Sequence, residues 1–398
     1  MSPTDSRPGP LPTSGAPHKI FIVGVHDPSD AYPNVRYRVL GLVNSGKVAA
    51  REYGFALRWR PFARRRRWAA SRLASITCTA FRAFRCHARA VAACVLHARS
   101  KPVYIPYPAP LLLCCLSFLP RSLRPGRIIA DAFISLYDTA VSDRALLSGK
   151  SLPARLLRRI EQRGYRLADR VVTDTAMNAA HLTALFGLPA GKVVPLPLTI
   201  GEQIYFHVPY VPRTGPCTVL FIGTFVPLQG VDIIAQAIAL LRDEANIAFR
   251  LIGYGQTGES VRNILEREDC RNYVWIEEWQ DAADLAGEIR RADICLGIFG
   301  TTNKAQRVWP LKNYAYMACG RAVITGETTC ALELISDADH APFATAAIGD
   351  PAALAAGILS LARDATARTD YAQRARRFYE QHLANAASVE AILGELLR

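Results

Sequence analysis

The chain has 398 residues, half of them apolar, and a formal net charge of +14. That length exceeds one ordinary domain and that apolar content supports large cores, so two folded units are expected and a wholly disordered chain is excluded. The charge is local: no acidic residue lies between Glu52 and Asp131, and the 15 Arg and Lys found there leave the rest of the chain close to neutral.

Residues 1–18 are polar and rich in Pro and Gly. They lack the apolar run of a signal peptide and are expected to be disordered. KIFIVGV (Lys19–Val25) reads as a buried first strand, and a helical pattern follows near Val35–Asn44. Trp68–His97 carries apolar residues at Leu73, Ile76, Ala80, Phe84, Val91 and Val95, mostly at three-and-four spacing, which predicts an amphipathic helix. Val103–Pro108, Arg127–Phe133 and Arg170–Thr175 read as further strands, with helices over Ala154–Ala168 and Met177–Phe186 between and after them. The apolar run Ala109–Leu119 is too short to span a bilayer as a helix. KVVPLPL (Lys192–Leu198) closes this half.

Residues 205–216 hold several prolines and read as a linker. The alternation then restarts with strands at Thr218–Gly223, Ala248–Gly255, Tyr273–Trp279, Ile294–Phe299 and Arg321–Thr325. Helices are expected near Val231–Arg242, up to Arg267, over Asp284–Arg291 and over Lys312–Cys319, with helical sequence from Pro351 to the end. The expected architecture is α/β, with two Rossmann-like doubly wound domains facing a cleft. The domains are 19–204 and 217–370, and 371–398 is a helical segment that packs back on the first domain. Ligands of such sheets bind at the carboxyl ends of strands.

One motif invites a different reading. GYGQTG (Gly253–Gly258) spells G-x-G-x-x-G, and Glu277 and Glu278 follow at about the distance of a ribose-binding carboxylate. Its position argues against a dinucleotide fold, because it follows the second strand of its half rather than the first. The first strand is followed by a single glycine, in FIGTF. Gly253, Tyr254 and Gly255 are expected to form a tight loop near a nucleoside, with Gly258 opening the next helix.

Four segments of the second half resemble the group 1 family of GT-B fold, family 4-like retaining glycosyltransferases. These are FIGTFVPLQGVDIIAQAIALL, FRLIGYGQ, ADICLGIFGTTNKAQRVWPLKNYAYMACGRAVITGE and GDPAALAAGILSLARD. The likeness is good from Thr218 to Ala362, looser from Arg127 to Phe206 and weak over Ser45–Ser122. The segment around Lys304 is its specific part. The resemblance implies that the second domain binds a nucleotide-sugar, UDP- or GDP-linked, and the first an acceptor. It implies no separate cofactor and no metal. The 10 cysteines agree, with no C-x-x-C pair and no zinc spacing, and point to reduced thiols in a cytosolic compartment. The D-x-D of Asp337 and Asp339 is set aside, since it belongs to the other main glycosyltransferase fold.

Departure of a diphosphate needs positive charge and oriented N–H groups. Lys304 and Arg307, in a loop at the end of a strand, are the expected catalytic cations. Gly223, Thr224, Gln229, Gly253, Tyr254, Gly255, Pro310 and Lys312 are the expected donor-binding set. Gln229 stands where the family usually has a lysine. Arg307 and Ala315 stand where it often has two glutamates, the second of which holds the donor ribose. Asn313 and Glu333 are candidate substitutes. Asn34, Arg36 and Asp131, with Arg38 nearby, are the expected residues of the acceptor-side cleft. No protein general base is named, since retaining members are thought to use the leaving phosphate.

The basic segment Arg58–Arg99, with Trp59, Phe62 and Trp68 among its arginines, reads as an interfacial segment for an anionic membrane surface. That points to a lipid-linked or saccharide acceptor on the inner face of the cell membrane. The alternatives are a solvated arginine face and a nucleic-acid partner, the latter disfavoured because no nucleic-acid module is visible. A non-catalytic nucleotide- or glycan-binding protein is the alternative to an enzyme.

Overall fold

A computed structural model describes residues 18–26, 32–55, 69–335, 337 and 340–398. The expected disordered N-terminus therefore lies almost wholly outside the described residues, as do Asp339 and the arginine cluster Arg58–Arg67 with its aromatic neighbours. In chain order the first unit has β1 (Lys19–Gly24), α1 (Pro33–Val43), β2 (Ala49–Gly54), α2 (Ala69–Leu96), β3 (Pro102–Ile105) and α3 (Pro110–Leu116). It continues with β4 (Arg127–Asp131), α4 (Leu152–Leu167), β5 (Arg170–Thr173), α5 (Ala176–Phe186) and β6 (Val193–Pro195). The second has β7 (Cys217–Ile222), α6 (Val231–Leu240), β8 (Ile247–Ile252), α7 (Gly258–Arg267), β9 (Tyr273–Ile276), α8 (Ala282–Arg291) and β10 (Ile294–Leu296). Then come α9 (Leu311–Ala318), β11 (Ala322–Gly326), α10 (Thr329–Glu333), β12 (Ala344–Ala346), α11 (Pro351–Arg363), α12 (Ala365–Phe378) and α13 (Asn385–Leu397).

Each unit is built on a six-stranded sheet, ordered β2-β1-β3-β4-β5-β6 and β12-β11-β10-β7-β8-β9. Every strand pair is parallel. Parallel strands need helical crossovers, so both faces are covered and the inner strands are apolar throughout. In the first unit Cys94, Leu113, Tyr165 and Phe186 from α2, α3, α4 and α5 cover one face. Val39 and Leu42 of α1 and Val389, Ile392 and Leu393 of α13 cover the other. The C-terminal helix thus belongs to the core of the first unit. The chain's two crossings are tied together there, with Tyr379 Oη donating to Glu202 and the Asn385 side chain bonded to Ile200 at both ends.

The sequence reading missed two strands and two short helices. β2 is a sheet edge with no fully buried residue, so it lacks an apolar run. α3 falls inside the Ala109–Leu119 run, which was weighed only as a membrane span. β12 and α10 are too short to show a period. No helix among the described residues is long and apolar enough to cross a membrane.

Candidate active site

The carboxyl ends of β7, β8 and β9 and the start of α9 border two connected cavities, of about 310 Å³ and about 190 Å³. They share Ile222, Gly223, Thr224, Trp279, Gln280 and Leu285. The larger one reaches the first unit at Pro33, Tyr37 and Ile200, so it lies between the two sheets. A cavity of about 280 Å³ beside His207, Arg376 and Arg377 is built on α12 and has no strand end in its lining.

Lys312 is the electrostatic centre of the larger cavity. Pro310 fixes the entry to α9, and Lys312 in its first turn points back over the Phe221 ring at 3.7 Å. Part of the side chain meets the cavity, but the ammonium nitrogen is sealed from solvent and has no hydrogen-bond acceptor among the described residues. Burial therefore pushes its pKa well below the usual lysine value. Gln229 Oε1 is also buried without a partner. The two meet at Gly223, where an added Cβ would lie 3.3 Å from Lys312 Nζ and 3.5 Å from Gln229 Oε1. A buried ammonium lacking an acceptor beside an open backbone makes a place for an anion, to which Gln229 can contribute only by turning its NH2 group toward it.

The glycine loop has a different function from phosphate binding. Gly253 has φ +136°, and a Cβ there would fall 1.9 Å from Gly223 O. One on Gly255 would fall 2.5 Å from Phe225 O. The two loops touch backbone to backbone, which only glycine permits. Gly253 and Tyr254 line the smaller cavity, whereas Gly255 is spent on this contact.

Lys304 and Arg307 stand elsewhere than expected. Neither lines either cavity. Arg307 is buried and donates to both Asp138 oxygens at 2.9 Å and to Asn178 Oδ1 at 2.8 Å. Lys304 donates to Thr139 Oγ1 at 2.9 Å and pairs with Asp143 at 3.3 Å. Thr175, which caps α5, donates to the Arg307 carbonyl. Their positive charge is committed to the first unit and fastens the two halves. Burial alone would raise the Asp138 carboxyl, but hydrogen bonds from His181 and Arg307 and the charges of Arg307 and Lys304 hold it far below its ordinary value.

The wide turn Asp138–Asp143 that presents these acids rests on Glu161 of α4. Its buried carboxylate accepts from Ser135 Oγ and Leu136 N, both at 2.7 Å. Among the described residues no cation pairs with it, and burial pushes its pKa up to about 7 against those hydrogen bonds. The folded chain then holds a proton that the unfolded chain releases near 4.5, so stability falls as pH rises from about 4.5 to about 7. Glu161→Gln is expected to flatten that fall. Unfolding midpoints over a pH series check it, and an unchanged slope would contradict it.

The acceptor-side expectations need correction. Asn34 and Asp131 are wholly buried and do not reach the cleft. Asn34 is tied to Thr199, whose N–H donates to its Oδ1 at 2.8 Å. Asp131 pairs with buried Arg38 at 2.7 Å and accepts from Tyr104 Oη at 2.7 Å. Both are polar locks inside the first unit. Arg36 is half-buried near the Tyr37 ring. Of the proposed ribose substitutes, Asn313 is fully buried and Glu333 borders neither cavity. Ala315 lines the larger cavity. Trp279 and Gln280 border both cavities and were not singled out. The available signal was an aromatic residue just past the carboxyl end of an apolar strand. Among the described residues no group of three or more His, Cys, Asp or Glu is placed to hold a metal.

Residues 216–364 match the family described as glycosyl transferases group 1. No curated protein matches the chain. Among solved structures, HepE of Anabaena in complex with UDP superposes with a TM-score of 0.62, at 13% identity over 96% of this chain and 99% of that one. Sucrose-phosphate synthase of Thermosynechococcus elongatus gives 0.66, at 16% identity over 96% and 98%. WaaG, a glycosyltransferase involved in lipopolysaccharide biosynthesis, gives 0.61, at 13% identity over 95% and 99%. With two parallel sheets and a cavity between them, the chain has the two-domain fold of these structures, and its residues 216–364 match the group 1 glycosyl transferase family.

Proposed function

We propose that the chain moves a sugar, with retention, from a UDP- or GDP-linked donor to a lipid-linked or saccharide acceptor, in the synthesis of cell-surface polysaccharide or glycolipid. The observation that carries this reading is the Lys312 ammonium, buried beside Gly223 and Gln229 without an acceptor. A diphosphate seated there supplies the missing acceptors. Negative charge grows on it as the sugar–phosphate bond breaks, so Lys312 stabilises the transition state more than the ground state. Gln229 adds no charge, and it donates to the diphosphate only with its amide turned so that Nε2 faces the site. Trp279 and Tyr254 offer aromatic faces for the base. UDP is the first nucleotide to try, because HepE was crystallised with UDP and with UDP-glucose.

The acceptor is proposed to be drawn from an anionic membrane surface on the cytoplasmic side. In support, α2 exposes Phe81 and Phe84, at 62% and 71%, beside exposed Arg82, Arg85 and Arg89. Apolar rings among arginines suit the interface of a membrane carrying negative lipids.

The test is a thermal-shift panel of UDP, GDP, ADP, their sugars and NAD(H) on the full chain. A nucleoside diphosphate at 100 times its Kd is expected to raise Tm on the order of 5 °C. A shift with NAD(H) alone, or with no nucleotide, would sink the reading. Binding without turnover on membrane extracts would favour a non-catalytic binding protein.

A further inference from the structure

We propose that Glu278, just past the carboxyl end of β9, is the ribose-binding carboxylate of this chain. The inference rests on the nucleotide-sugar reading above. The larger cavity is floored by the methyl group of Ala315, where no hydrogen bond to a hydroxyl is available. Among the described residues lining the two cavities, Glu278 is the one carboxylate.

Strand geometry sets the faces up to Ile276, and a bend at Glu278 follows. Successive side chains point to opposite faces. Trp275 and Glu277 share one face, where Arg262 lies 4.7 Å from the Trp275 ring and pairs with Glu277. Ile276 takes the other face and packs in the cluster that holds Ile222 and Leu285. Glu278, at the bend, lines the smaller cavity with Ile222 and Leu285, as do Trp279 and Gln280 after it. It is exposed, with no ion-pair or hydrogen-bond partner among the described residues. Of two adjacent glutamates, one is consumed by an ion pair on the far side and the other is presented to the cavity.

Chemistry selects the ligand group. A carboxylate accepts hydrogen bonds and donates none. The 2′,3′-diol of a ribose offers two neighbouring hydroxyl donors, a short chain of bonds from the diphosphate. Gly223 and Thr224 line both cavities, so a nucleotide with its diphosphate at Lys312 continues directly into the cavity of Glu278. The edge of uracil offers one N–H between two carbonyls, which repel a carboxylate. The diol is the better partner, and it is common to every nucleoside diphosphate.

The experiment is calorimetric titration of the full chain with UDP, GDP and their 2′-deoxy forms, using wild type, Glu278→Ala and Glu277→Ala. Glu278→Ala is expected to weaken UDP and GDP alike, roughly 10- to 100-fold. The wild type is expected to bind the 2′-deoxy forms about 10-fold more weakly, and Glu278→Ala to bind both forms equally. Glu277→Ala should match the wild type. Wild-type affinity in Glu278→Ala overturns the assignment and leaves the nucleotide site standing. Weakening of GDP alone assigns Glu278 to the base and also overturns it. Failure of the wild type to bind any nucleoside diphosphate removes the underlying reading and this one with it.

Discussion

Lys312→Met is expected to abolish the nucleotide-induced rise in melting temperature while leaving the unliganded protein as stable as before, or more so. Most variants that lose a ligand also lose some stability. Here the charged group has no acceptor among the described residues and is sealed from water, so it carries an uncompensated desolvation cost. Methionine fills similar space over the Phe221 ring without that cost. Loss of one charged donor to a growing oxyanion lowers turnover about 10²–10³-fold.

Proton linkage gives a second readout. The folded chain releases the Lys312 proton at a pH well below the ordinary 10.5, while the unfolded chain keeps it. Between those two values the unfolded state binds more protons, so stability rises with pH across that window. Lys312→Met removes the rise. A bound diphosphate favours the charged form, so nucleotide binding in that window takes up a proton. Calorimetry in buffers of unlike ionisation enthalpy measures it. A variant that still binds UDP like the wild type would refute the site.

Arg307→Ala is expected to lower stability by about 3–5 kcal/mol, because it leaves Asp138 buried without its main partner. Asp138→Leu combined with Arg307→Met is expected to recover most of that loss, since replacing both partners leaves no orphan. The pH sign is fixed by the depressed Asp138 carboxyl. Its contribution is complete above about pH 4 and is lost as pH falls through the lower folded value. Acid unfolding of Arg307→Ala should therefore begin at higher pH than in the wild type. Urea and acid unfolding curves check both statements. A cost near zero for the single variant would mean that the pair does not hold the halves together.

The distinction between Lys304 and Arg307 on one side and Lys312 on the other shows where sequence reading stops. All three lie within nine residues of one segment; the first two are the expected diphosphate cations and the third belongs to the expected donor-binding set. Their acidic partners, Asp138 and Asp143, lie 161 or more positions earlier, in a turn with no motif. Spacing along a chain carries no information about charges that arrive from another domain. The same holds for Asp131. Its place at a strand's carboxyl end was read correctly, but Arg38 and Tyr104 enclose it, 93 and 27 positions away.

The sequence by itself determined the two α/β units, nearly all of the longer elements and the segment that matches the group 1 family. Those follow from local periodicity, from apolar strands bounded by glycine and proline, and from a family signature within one segment. It also placed Gly223, Gln229 and Lys312 in one candidate set. Only the tertiary structure decided which cations remain available for an anion, because burial and pairing depend on what the rest of the fold brings within 4 Å. The G-x-G-x-x-G loop was settled the same way. Gly253 and Gly255 are glycines because the Gly223–Phe225 backbone passes against them, and Glu278 lines the cavity because the chain bends there, just past the end of β9.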